Sequence, residues 1–389
     1  MDKQKKILIV YTDAGGGHRA TALALKDVLD QNTCHRVSLM NPYKELIADV
    51  DLFARLTPYT DEDVYNRFVL DKGWNNLFCL AYFAATLLNV RLGTRESVRR
   101  FTACWKKQGF DLVISVMPMS NQGLYQSVVA CFEQKPVPFL VVITDFAESM
   151  RYSWFPKEQD YFILCGTRKS HEQALAKPHP AQRVFPAPGL IVHPRFYQTP
   201  GVDVAKERKR LGLSPDLPTA CIMYGGGGAG RMEDIARALC GIDRKVQAIF
   251  LCGKNQALAN RISALSLPYP HVIQTFTSKV PYYFSISDFL VGKPGPGTIS
   301  EALVAGILPM VDAGQALPQE RYNLDWLKQH QKGRVFKSIR ELMDLIQQFE
   351  PSPDARPGKR GGREALNQAV FQIPKIVDQI FSDCHGKQT

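Results

Sequence analysis

Three times in this chain an apolar run of strand length stops at a cluster of glycines and gives way to a helical pattern. Ile7-Leu8-Ile9-Val10 precedes Gly15-Gly16-Gly17, Cys221-Ile222-Met223 precedes Gly225–Gly228, and Ser287-Asp288-Phe289-Leu290-Val291 precedes Gly292, Gly295 and Gly297. A turn of this kind aims backbone N–H groups and the positive end of a helix dipole at one point, which suits an anion. In the third unit Glu301, Gln319, Glu320 and Asn323 follow in sequence and can hydrogen-bond sugar hydroxyls. Phosphate and sugar together suggest a nucleotide-sugar site. Read locally, Thr298-Ile299-Ser300-Glu301 is equally a T-x-x-E capping box that merely closes the start of a helix opening at Thr298. The glycine runs lack the GK[ST] ending of a P-loop, and the one G-x-G-x-x-G match, Gly225 to Gly230, is weak by itself.

The rest of the chain follows the same alternation. Strands are expected at Lys6–Tyr11, Arg36–Met40, Leu112–Val116, Phe139–Thr144, Tyr161–Cys165, Thr219–Met223, Gln247–Cys252, His271–Gln274, Asp288–Val291 and Leu308–Val311. Helical patterns such as Arg19–Asp30, Met232–Cys240 and Lys254–Ala264 lie between them, which means α/β with mainly parallel sheets. The pattern loosens into Pro-rich, basic sequence over Phe185–Pro218 and again at Pro351–Gly362. The expected domains are therefore 1–195, 196–362 and a final helical segment, 363–389, packing back on the first half. A chain of 389 residues is long enough for two such cores.

Bulk composition narrows the partners. The formal net charge of +11 favours acidic ones: nucleic acid, anionic lipid or a phosphorylated substrate. No recognised nucleic-acid motif accompanies the charge, so nucleic acid is not expected. Nine cysteines without a C-x-x-C pair argue against a zinc site or disulfide framework, and the strand beginning at Ile7 leaves no room for a signal peptide. The longest apolar stretch, Leu77 to Val90, is broken by Thr86 and Asn89 and falls short of the roughly 20 residues of a spanning helix. A cytoplasmic location follows. Residues Tyr65 through Leu92 hold Phe68, Trp74, Phe78, Tyr82, Phe83, Leu87 and Leu88, followed by Arg91, Arg95, Arg99, Arg100, Lys106 and Lys107. From the residues alone this is a core helix and a solvated basic helix; aromatics beside basic residues also suit an interfacial segment.

Taken together and in order, several segments resemble one family. They are Asp13-Ala14-Gly15-Gly16-Gly17-His18-Arg19-Ala20, Val142-Ile143-Thr144-Asp145 with Trp154-Phe155, Gly189-Leu190 with Pro194 and Phe196, Met223–Gly227, Cys252-Gly253-Lys254-Asn255, and the segment from Val291 to Asn323. The chain resembles GT-B glycosyltransferases of the group holding monogalactosyldiacylglycerol synthases and processive diacylglycerol glucosyltransferases, and more distantly the lipid II N-acetylglucosaminyltransferase.

The resemblance implies two Rossmann-like doubly wound domains facing a central cleft. It implies a UDP-sugar donor held by the second half: Glu301 on the ribose, Thr298 with Gly295 and Gly297 facing a phosphate, Gln319, Glu320 and Asn323 on the sugar, and Gly225, Gly226 and Gly227 near the diphosphate. The acceptor, diacylglycerol or a similar lipid, is implied beside Gly15, Gly16, Gly17 and His18, and a lipid acceptor turns the Tyr65–Lys107 reading toward peripheral docking on an anionic membrane. Inverting transfer then needs a base. His18, whose imidazole titrates near neutral pH, is preferred over Asp145, which can equally be a cap or turn residue. Galactose is the favoured sugar, glucose the next. A UDP-sugar epimerase and a non-catalytic lipid-binding protein are the other classes. Two D-x-D sequences, Asp49-Val50-Asp51 and Asp61-Glu62-Asp63, follow no buried strand and are read as solvated surface, so neither a metal nor any other cofactor is expected. Two positions depart from the family pattern: His193 stands where relatives often carry arginine, with Arg195 as a substitute, and Met117-Pro118 replaces the His-Pro of plant-type enzymes.

Overall fold

Among the described residues twelve strands run parallel within two separate six-stranded sheets, so both faces of each sheet must be covered by helices. The computed structural model describes residues 4–49, 51–64, 76–133, 136–149, 154–157, 160–198, 203–350 and 367–385. They fall into two compact units, one within 1–65, 75–194 and 367–389 and the other within 195–366.

In the first unit β1 (Lys6–Val10), β2 (Arg36–Met40), β3 (Leu112–Ser115), β4 (Phe139–Val142), β5 (Phe162–Cys165) and β6 (Val184–Pro186) lie in the order β2-β1-β3-β4-β5-β6. The continuous apolar runs explain the burial: Ile7, Leu8, Ile9, Val10 and Phe139 to Val142 are all inaccessible. In the second unit β7 (Thr219–Met223), β8 (Gln247–Leu251), β9 (His271–Gln274), β10 (Phe289–Gly292), β11 (Leu308–Asp312) and β12 (Arg334–Phe336) take the order β12-β11-β10-β7-β8-β9. Each sheet is thus built outward in both directions from its first strand. The order reverses between β1 and β3 and between β7 and β10, and a crevice opens at such a reversal, beyond the carboxyl ends of the strands.

The ten expected strands are present with ends within two residues. Two further strands, β6 and β12, have three residues each, too few for a pattern to register. β6 corrects the reading of Phe185 onward as linker: Val184–Pro186 is an edge strand, where a proline is tolerated because no outer partner needs its missing N–H.

The last helix, Ala369–His385, packs on helix Gly17–Asn32 through a stripe of Ile373, Ile376, Val377 and Ile380. Asn367 ties its start to the Leu190 carbonyl at 2.9 Å. Helix Asn76–Gln108 is continuous, and its second half buries Phe101 and Trp105 against helix Asn121–Cys131, with the Trp105 indole donating to Ser127 Oγ at 2.8 Å. Part of the basic run is neutralised internally, since Arg99 and Arg100 pair with Glu96 and Arg100 also with Asp49. Lys106 and Lys107 are exposed. Phe68 and Trp74, and the side chains of Phe78, Tyr82, Phe83, Leu87, Leu88 and Arg91, lie outside the described residues. Among the described residues no helix is long and apolar enough to cross a membrane.

Candidate active site

The glycine turns after β7 and β10 flank the reversal point of the second sheet. A Cβ on Gly292 would stand 2.3 Å from the Met223 carbonyl oxygen, so only glycine lets the ends of β10 and β7 come this close. The turn after β8 packs in from the side: Lys254 N–H donates to the Gly226 carbonyl at 2.9 Å, and a Cβ on Gly253 would lie 2.2 Å from the same oxygen. Gly226 itself faces open space.

The helix after β10 runs Pro296–Val304, with Gly295 at the N-cap position and no side-chain cap. This removes the capping-box reading. Thr298 and Glu301 both lie inside the helix, because Pro296 suits the first helical position, where no N–H is required, and starts it two residues early. The first-turn N–H groups therefore face the crevice without a side chain closing them. The Glu301 carboxyl has no hydrogen-bond partner among the described residues. Burial pushes its carboxyl up to about 7, against a smaller opposing pull from the Arg195 guanidinium.

The tail residues divide. Asn323 is buried and donates to the Pro294 carbonyl at 2.8 Å, and buried Glu320 accepts from Leu317 N–H at 3.0 Å while its other oxygen lies 3.5 Å from Lys293 Nζ. Both brace the loop between β10 and its helix. Gln319 is half-buried in the 3-10 turn Pro318–Glu320. A buried network that sequence reasoning missed holds the rim: Asp312, at the end of β11, accepts from Arg231 Nε at 2.9 Å, from the Tyr224 hydroxyl at 3.1 Å and from Gly314 N–H at 3.0 Å. It joins the turn after β7 to the end of β11, 81 to 88 residues further on, so no local pattern carries it. Lys293 was also missed, although a charge between a buried strand and a glycine turn is a readable signal.

In the first unit the turn after β1 uses Gly15 and Gly16 in left-handed conformation, with φ of 73° and 81°, and a helix follows from Gly17. Gly16 and Gly17 face open space. Behind the turn, buried Glu62 accepts from Thr12 Oγ1 at 2.5 Å, Asp13 N–H at 2.7 Å and Asn41 Nδ2 at 3.0 Å. His18 sits where β1, β3 and β4 end: its Nδ1 is 3.0 Å from Thr144 Oγ1. Burial lowers its imidazole to about 4, opposed by a bond to the Val116 backbone. The ring stands 6.1 Å from the fully buried Trp154 indole, tilted by 51°. Asp145 is occupied differently, accepting from Trp154 Nε1 at 3.0 Å.

Of the D-x-D residues, Asp49 and Asp63 are exposed as expected, but Asp51 and Glu62 are not solvated surface. Asp51 is buried and caps helix Leu52–Leu56 through Phe53 N–H, and Glu62 is the buried acceptor just described; Asp49 pairs with Arg100 and Asp63 accepts from Thr60. Of these carboxylates only Asp51 is a helix cap; Asp49 is held by an ion pair and Glu62 by three donors from the β1 turn and Asn41. Among the described residues no group of three or more His, Cys, Asp or Glu side chains is placed to hold a metal ion.

No protein-family model matches the chain. Over 99% of its length it is 28% identical to monogalactosyldiacylglycerol synthase 1 of Arabidopsis thaliana, covering 71% of that protein. It is likewise 28% identical, over 99% of its length, to the probable monogalactosyldiacylglycerol synthase of Glycine max, covering 72% of it. Among solved structures it is similar to MurG of Acinetobacter baumannii, with a TM-score of 0.60 at 14% identity over 97% of this chain and 100% of that one. Anabaena HepE in complex with UDP and glucose aligns with a TM-score of 0.56 at 15% identity, covering 98% of this chain and 100% of that one. With its two parallel, doubly wound sheets, the chain has the GT-B fold, and along nearly its whole length it is similar in sequence to the monogalactosyldiacylglycerol synthases.

Proposed function

We propose that this protein is an inverting glycosyltransferase that moves a hexose, galactose in the first instance, from a UDP-sugar to the hydroxyl of diacylglycerol or a related lipid, giving a β-glycolipid at a membrane surface. The observation that carries this reading is His18, a neutral imidazole fixed at the meeting point of β1, β3 and β4 beside an open glycine turn. The relatives named monogalactosyldiacylglycerol synthase supply the substrate class, and with it galactose and a lipid acceptor.

The chemistry assigned to the residues is economical. We assign the ring proton to the nitrogen bonded by Thr144 and the Val116 backbone, so the other nitrogen keeps its lone pair and takes the acceptor's hydroxyl proton. The freed oxygen attacks the anomeric carbon from the face opposite UDP. The bond from that carbon to the β-phosphate oxygen breaks, and its electron pair leaves with UDP. In the second unit the Pro296–Val304 helix start and the Gly225–Gly227 turn face the diphosphate, and Glu301 accepts from the ribose hydroxyls. Gln319 faces the sugar, while Glu320 and Asn323 act by bracing the loop. Asp145 is a positioning residue, acting through Trp154. No metal is assigned a role. Lys106 and Lys107, exposed at the end of their helix, contribute to attraction toward anionic lipid.

The test is direct. The purified chain is incubated with anionic vesicles containing diacylglycerol and, separately, UDP-galactose, UDP-glucose or UDP-N-acetylglucosamine. A new glycolipid with release of UDP is expected, fastest with UDP-galactose. Failure to form any glycolipid from all three donors overturns the assignment.

A further inference from the structure

We propose that Lys293 is the cation that receives the donor's diphosphate, exchanging its resting partner Glu320 for phosphate oxygens as the sugar departs. This rests on the sugar-nucleotide reading of the second unit and adds to it the charge that reading lacks. Lys293 directly follows β10. Its Cε lies 3.5 Å from where a Cβ on Gly225 would stand and 3.6 Å from the same point on Gly295. The side chain therefore spans the gap between the first glycine of the β7 turn and the N-cap of helix Pro296–Val304, next to Gly226 and Gly297, which face open space.

Its resting state is poorly compensated. The side chain is only 15% exposed, so the ammonium has lost most of its water. Among the described residues Glu320 is its one polar partner, at 3.5 Å, longer than the 2.7–2.9 Å usual for a charge-assisted bond. Glu320 is held back because its other oxygen accepts from Leu317 N–H at 3.0 Å. An ammonium offers three donors, and this geometry satisfies none of them well. The charge also stands beside the positive end of a helix dipole, which by itself is unfavourable. A diphosphate between the two turns removes both penalties, and the negative charge UDP acquires when the sugar leaves strengthens the contact without any proton transfer.

Calorimetric titration of the full chain with UDP, UMP and uridine tests this, using wild type, Lys293→Met, and the double variant Lys293→Met/Glu320→Gln. Lys293→Met is expected to weaken UDP about tenfold or more, with uridine changed by less than about threefold. The double variant is expected to stay as weak as the single one. Equal losses for UDP and uridine, an unchanged UDP affinity, or recovery in the double variant would each overturn the role, the last by showing that an unpaired Glu320 was the cause. If wild type binds no uracil nucleotide at all, the sugar-nucleotide reading itself falls, which the variants alone cannot mimic.

Discussion

The indole N–H of Trp154 donates to Asp145 Oδ2 at 3.0 Å, and the same buried ring forms a wall 6.1 Å from His18. Asn121 Nδ2 donates to the Trp154 backbone carbonyl at 3.0 Å, so the residue is held through both its ring and its backbone. The carboxylate is oriented toward the indole. On the proposed reading this makes Asp145 the support of Trp154 and leaves the role of base to His18.

That relationship separates the two roles by mutation. Asp145→Asn keeps an oxygen to accept the indole bond and is expected to retain activity within about threefold. Asp145→Ala leaves a buried N–H unsatisfied, at a cost of about 1–3 kcal/mol, and should lower turnover about tenfold. A general base would lose roughly 10²–10⁴ in both variants. Steady-state glycolipid synthesis by the two variants distinguishes these outcomes.

His18→Gln should cut kcat by about 10²–10⁴ while UDP affinity, read by calorimetry, stays within about twofold. Its ligand-facing nitrogen is lost, but nothing in the second unit changes.

The pH dependence follows from two opposite shifts. Glu301 is raised to about 7, so its carboxylate forms only as pH climbs through that value; donor affinity should rise between pH 6 and 8, about tenfold if only the ionised form binds. The stability sign is the reverse. The unfolded glutamate ionises near the ordinary 4.5, so the folded state binds more protons between 4.5 and about 7 and loses stability as pH rises through that window. His18, lowered to about 4, contributes in the opposite sense: stability falls as pH drops from 6.5 toward about 4, where the unfolded chain takes up the proton first. Glu301→Gln should therefore flatten the pH profile of UDP binding above pH 6 and leave the acid loss of stability in place, both measurable by titration and by urea denaturation.

Arg231→Met removes the cation from Asp312, a carboxylate with no exposure, and leaves it only the Tyr224 hydroxyl and Gly314 N–H. Breaking one side of a buried pair costs about 3–5 kcal/mol, and Arg231 is partly exposed, so the low end is expected. Arg231→Met/Asp312→Asn should regain part of it. Denaturant midpoints at constant slope provide the check.

Turnover in the presence of excess EDTA should equal that in its absence, since the carboxylates of both D-x-D sequences that the structure describes are engaged in capping and ion pairs. A loss restored by added magnesium or manganese would contradict the proposed metal-independent transfer.

Much of this architecture was legible along the chain because its signals are local. A run such as Ile7-Leu8-Ile9-Val10 buries only as a central strand, and a glycine cluster behind it bends the chain at the strand's carboxyl end. Ten strands, the three turns and the prominence of Glu301 come from patterns a few residues long, whereas His18 was singled out only through the family resemblance. β6 and β12 escaped because three residues carry no period. The segment from Val291 to Asn323 shows the limit within a single stretch: its residues read equally well as a helix cap or as a ligand site. Where helix Pro296–Val304 starts settles this against the cap, since a shift of two residues puts Thr298 and Glu301 on the helix body. Burial of Asp51 and Glu62, the Asp145–Trp154 bond, the Arg231–Asp312–Tyr224 network and the placement of Lys293 between two glycine turns all depend on which chain segments pack side by side. Strand and turn identities follow from short-range sterics and hydrophobic period, whereas a side chain's charge state and partners follow from desolvation and contacts across tens of residues, which exist only once the sheets have formed.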